Sequence, residues 1–148
     1  MSISDLIQPE VVKVPIRSEA KSDVIAELLD VLIDAGRLSD RERALDALLE
    51  RESQGSTGLE SGIAVPHAKT DAVDRLTLGI GIAPQGVDFQ SADGEPSRIF
   101  FLMLAPPDQS GPHIEALSEI ARLARAPSFL KALSRAESAD EVVELLNE

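Results

Sequence analysis

Ile99-Phe100-Phe101-Leu102-Met103-Leu104-Ala105 is an unbroken apolar run of strand length, and a run of this kind suits a central β-strand covered on both faces. Two other stretches read as extended, Gly62 to Val65 and Leu76 to Ala83. A third, Val11-Val12-Lys13-Val14-Pro15-Ile16, reads as a short strand near a sheet edge, because Pro15 has no N–H to give to a ladder. Pro84 through Phe89 and Ala92 through Pro96 have turn chemistry and leave room between them for a further short strand.

Helical patterns interleave with these stretches. Val24, Ile25, Leu28, Leu29, Val31 and Leu32 recur at three-and-four spacing over Ser22 to Leu32, with Gly36 placed to end the helix. Ser39-Asp40-Arg41-Glu42 reads as a capping box opening a helix from about Asp40 to Arg51, whose apolar stripe is Ala44, Leu45, Leu48 and Leu49. Two helices close the chain, one from about Pro112 through Ala124 and one opened by a second capping box, Ser138-Ala139-Asp140-Glu141. Strands alternating with helices predict an α/β fold, a three-layer sandwich with a mixed sheet of about five strands flanked by helices. The length, 148 residues, predicts one domain over 1–148.

Composition narrows the chemistry. The chain has no cysteine, tryptophan or tyrosine, which removes thiol nucleophiles, disulfides, cysteine metal sites and most stacking surfaces. Its 26 acidic and 14 basic residues give a formal charge of -12, a field that repels nucleic acid and anionic lipid. Such a surface either keeps the protein soluble or steers a basic protein partner toward it. No stretch has the length of uninterrupted apolar sequence that a membrane span needs, and Met1 to Pro9 lacks a basic start. The expected location is the cytoplasm, with no membrane insertion.

One of the two histidines, His67, ends the segment Ser56-Thr57-Gly58-Leu59-Glu60-Ser61-Gly62-Ile63-Ala64-Val65-Pro66-His67-Ala68-Lys69. Pro66 favours an extended Val65, stops the strand and presents the imidazole in a turn at the strand's end, where functional residues often sit. Taken alone, His67 reads equally as a hydrogen-bonded surface histidine. A metallohydrolase built on His67, His113 and Asp71 or Glu115 is a further alternative, although the spacing matches no metal motif.

The Ser56-Thr57-Gly58 loop and the Gly62-to-Ala68 run together resemble the active-site signature of enzyme IIA domains of the bacterial phosphoenolpyruvate-dependent phosphotransferase system, in the mannitol/fructose class that includes nitrogen-regulatory enzyme IIA. The resemblance extends to Leu49-Glu50-Arg51-Glu52, to Asp88-Phe89 through Asp93-Gly94, and to His113 opening a helix with Leu117, Ile120 and Leu123. It implies a phosphocarrier with no cofactor and no metal. His67 would accept a phosphoryl group, as a tele-phosphohistidine, from a small histidine-containing phosphocarrier protein. It would then pass the group to an enzyme IIB domain for fructose- or mannitol-type sugar uptake. The regulatory branch implies instead a phosphorylation-switched binding protein.

A neutral imidazole has the lone pair this chemistry needs, and transfer between nitrogens keeps a similar transfer potential. The resemblance assigns Arg51 to the charge of the phosphoryl oxygens, a role its forked donors suit, whereas alone it reads as a cation at a helix C-terminus. It places His113 beside the acceptor, where a helix start keeps the ring neutral. Ser56 and Thr57 are second-rank donors to the same oxygens, with an equal reading as loop formers. Lys69 lies close by in sequence. Glu60 departs from a position where the family often has glycine and is expected to face solvent. Both partners being proteins, a shallow docking surface is expected rather than a deep pocket.

Overall fold

A computed structural model of the chain describes residues 3–147. The apolar run is strand β5, Ser97–Ala105, and Phe100 through Ala105 are each 0% exposed, as a strand covered on both faces requires. β4, Thr77–Val87, pairs antiparallel with it in the register Leu78 to Met103, Ile80 to Phe101 and Ile82 to Ile99. β1, Val12–Lys13, lies parallel to the far side of β4. On the other edge β2, Ile63–Ala64, and β3, His67–Lys69, run one after the other parallel to β5. The result is the anticipated mixed five-stranded sheet within an α/β sandwich.

Among the described residues five α-helices cover the sheet: α1 (Lys21–Asp34), α2 (Arg41–Ser53), α3 (Ser110–Leu123), α4 (Pro127–Ser134) and α5 (Ala139–Leu146). Val24, Ile25, Leu28, Leu29 and Leu32 form the buried stripe of α1. The helix and the segment leading into it lie so close on β4 that a Cβ at Gly81 would sit 3.0 Å from Leu28 Cδ2 of α1 and 2.7 Å from Ile16 Cδ1 before it. Gly36 ends α1 at φ +74°, with Arg37 N–H donating to Leu32 O at 2.9 Å, the left-handed cap its position suggests. No helix among the described residues is long and apolar enough to cross a membrane.

Several boundaries differ from the sequence reading. Asp40, not Ser39, caps α2 and accepts from Arg43 N at 3.2 Å; a carboxylate satisfies the free amide and also meets the positive end of the helix. At α5 Ser138 Oγ accepts from Glu141 N at 3.1 Å, but the Glu141 carboxylate reaches back to Glu137 N. α3 starts two residues before Pro112, which takes the third helical position, where an N–H would have no intrahelical acceptor. The turn residues Pro84 to Gly86 are an irregularity inside β4 with Gly86 at φ +79°, so the strand runs on to Val87 and no separate short strand follows. The fifth strand is β3 instead. α4 was hidden by its eight residues, although Pro127 opens it and Leu130 and Leu133 anchor it.

Candidate functional site

Pro66 interrupts the sheet edge without ending it. Lacking an N–H, it cannot donate, yet its carbonyl accepts from Met103 N at 2.9 Å, and Val65 N donates to Thr57 O at 3.0 Å. Pairing resumes at once, with His67 opposite Met103. The imidazole therefore stands on the first residue of a resumed strand, where the expectation was a turn past the strand's end. Strand alternation puts His67 and Lys69 on one side and buried Ala68 on the other.

His67 Nδ1 lies 2.7 Å from Val65 O. A carbonyl only accepts, so Nδ1 carries the proton and donates, which leaves the lone pair on Nε2. The rings of His67 and His113 meet edge to face with centroids 5.3 Å apart and planes at 78°. His113, on the first turns of α3, is 5% exposed, and its buried Nε2 has no hydrogen-bond partner. Burial holds the His113 pKa below the usual imidazole value, and repulsion of a second positive charge beside His67 and Lys69 adds to the effect. The ring is thus kept neutral, and its Nε2 forgoes a hydrogen bond inside the resting protein.

A cavity of about 380 Å³ opens over this pair. β3 contributes His67, Ala68 and Lys69 to its wall, α3 contributes His113, and α2 contributes Ala47, Glu50 and Arg51 with its C-cap Gln54, which continue one helical face. Arg51 Nη1 donates to Gly55 O at 2.9 Å, turning the guanidinium back over the loop after α2. Lys69 Nζ donates to Ser110 Oγ at 2.9 Å across the mouth of α3. The fold therefore gathers His67, His113, Arg51 and Lys69 from three elements around one opening. Glu50 and Gln54 are not singled out as site residues in the sequence, although their spacing of three and seven residues from Ala47, with Arg51 at four, signals a shared face.

Ser56 and Thr57 lie elsewhere. Ser56 Oγ donates to Phe89 O and accepts from Gly58 N at 3.0 Å. Thr57, 4% exposed, donates its hydroxyl to the Glu52 carboxylate. Both hydroxyls shape the loop, and neither residue lines the cavity. Gly58 permits that shape, since a Cβ there would lie 2.5 Å from Ser91 Oγ and 3.1 Å from Phe89 O. Glu60 is exposed, as expected. Asp71 pairs with Arg43 at 2.7 Å and Glu115 faces solvent; among the described residues no three His, Cys, Asp or Glu side chains are grouped to hold a metal.

A nucleophilic nitrogen beside an unsatisfied neutral imidazole, a guanidinium and an ammonium suits an anionic group held on His67 Nε2. The family model for the phosphoenolpyruvate-dependent sugar phosphotransferase system, EIIA 2, matches residues 5–148. The fructose-specific EIIABC component of Bacillus subtilis is 39% identical over 148 residues, which is all of this chain and 23% of that protein. The fructose-specific EIIA component of Haloferax volcanii is 38% identical over 146 residues, 99% of this chain and 95% of that one. Among solved structures, nitrogen regulatory protein IIA-Ntr from Neisseria meningitidis superposes with a TM-score of 0.88 at 28% identity, covering 97% of this chain and 98% of that one. Enzyme IIAMTL in complex with phosphorylated enzyme IIBMTL from Escherichia coli gives a TM-score of 0.81 at 25% identity, covering 95% and 96%.

Proposed function

We propose that this chain, which belongs to the EIIA 2 family of the phosphoenolpyruvate-dependent sugar phosphotransferase system, carries a phosphoryl group on Nε2 of His67. The observation that carries the reading is the bond from His67 Nδ1 to Val65 O. With that proton fixed, Nε2 is the ring atom with a free pair, so the product is the tele-phosphohistidine.

In the forward step the Nε2 pair attacks phosphorus while the bond from phosphorus to the donor's histidine nitrogen breaks, and the donor nitrogen keeps its electron pair. The donor is a small histidine-containing phosphocarrier protein. The acceptor is an enzyme IIB domain, whose nucleophile displaces Nε2 in the same way; the relative enzyme IIAMTL was solved with such a partner. His113 donates Nε2–H to a phosphoryl oxygen, which ends its isolation, and Arg51 offers two donors to the others. Nothing is oxidised or hydrolysed, and residues 1–148 act as one cytoplasmic enzyme IIA domain serving fructose- or mannitol-type sugar uptake.

With phosphoenolpyruvate, enzyme I and the phosphocarrier protein present, intact mass spectrometry should show an acid-labile gain of one phosphoryl group in the wild type and none in His67→Ala. An equal gain in the variant overturns the reading. The 0.88 TM-score to IIA-Ntr favours a second role, a binding protein switched by the same phosphorylation. A pull-down with phosphorylated and unphosphorylated protein separates the two, since a switch captures a target other than enzyme IIB in one state only.

A further inference from the structure

We propose that Lys21 and Glu52 form a half-buried clamp that positions the loop after α2, and through it the Arg51 guanidinium, for phosphoryl transfer at His67; the inference rests on the phosphocarrier reading. Lys21 Nζ lies 2.7 Å from Glu52 Oε2, with the two side chains 20% and 6% exposed. The same carboxylate accepts the Thr57 hydroxyl and, at 3.3 Å, the Thr57 backbone N–H. The ammonium also stands 4.9 Å from the centre of the Phe89 ring and 3.4 Å from Gln90 Oε1. One ion pair thus ties the start of α1, the end of α2, the Ser-Thr-Gly loop and the connection between β4 and β5.

Two features argue that positioning, rather than stability, explains this arrangement. Lys21 is the first residue of α1, where a cation opposes the helix dipole. A half-buried pair also recovers little more than the cost of taking its charges partly out of water. What the pair does secure is geometry. Glu52 fixes Thr57, and Gly55, between the two, supplies the carbonyl that holds Arg51 Nη1 at 2.9 Å. If residues 54–58 drift, Arg51 loses its seat on the cavity wall.

Lys21→Met removes the cation while keeping an apolar stem over Phe89, and Thr57→Val removes the hydroxyl while keeping its bulk. Each should slow single-turnover phosphoryl gain on His67 roughly ten- to hundredfold, with the phosphorylated carrier protein or phosphoramidate as donor, and leave KM for the carrier unchanged. Thr57→Ser restores the donor to Glu52 and should restore most of the rate at an unchanged melting temperature. Should Lys21→Met not fold, the Thr57→Val and Thr57→Ser pair decides. A wild type that takes phosphoryl on His67 while both variants match its rate overturns the clamp alone. A wild type that takes none overturns the phosphocarrier reading and the clamp with it.

Discussion

Replacing Arg51 by lysine keeps a positive charge at the end of α2 but removes the fork through which two N–H groups meet two phosphoryl oxygens. The single-turnover rate of phosphoryl gain should fall about a hundredfold, with little change in stability because the side chain borders an open cavity. An unchanged rate would return Arg51 to a cation that only complements the helix dipole, a role lysine fills equally well. His113 poses the opposite test. Its Nε2 is buried without a partner, a cost the resting protein bears. His113→Leu should therefore leave the melting temperature equal or higher while slowing transfer; a melting temperature well below the wild type's, read by calorimetry, would show that the ring is held for packing.

At the level of elements, the loop between α2 and β2 is built for close approach. Gly58→Ala places a methyl against Ser91 Oγ and Phe89 O, one of them a backbone atom that cannot swing aside, and should destabilise by about 1–3 kcal/mol in urea unfolding. Long segments such as α1 and the apolar run of β5 were legible because one physical requirement, burial, fixes the stripe of the helix and every residue of the run. His67 was singled out within the signature, and Arg51 and His113 in the segments to which the resemblance extends. What the hydroxyls of Ser56 and Thr57 bond was not legible, because hydrogen-bond partners such as Phe89 O are set by tertiary folding and leave no local trace. The pair of Lys21 and Glu52 was invisible for the same reason. Short elements failed differently: β3 is three residues behind a proline, and α4 is eight residues without the side-chain cap that announces the equally short α5, so neither contains enough periods to announce itself.

Over the whole molecule, a net charge of -12 pushes the folded chain apart and is screened by salt. Raising sodium chloride to about 0.5 M, where the screening length is only a few ångströms, should therefore raise the melting temperature at neutral pH. Acidification lowers the same repulsion, so at low salt it stabilises and conceals any contribution from His113. That contribution has the opposite sign. Because burial depresses the folded-state pKa of His113, the unfolded chain binds its proton more readily. The stability from a neutral ring is complete above the unfolded value of about 6.5 and is lost as pH falls below it toward the depressed folded value. In high salt, urea unfolding between about pH 5.5 and 7.5 should accordingly show stability rising with pH. His113→Leu should flatten that slope. A slope that survives the substitution would mean that the ring at the centre of the site is not the group whose burial sets the pH response.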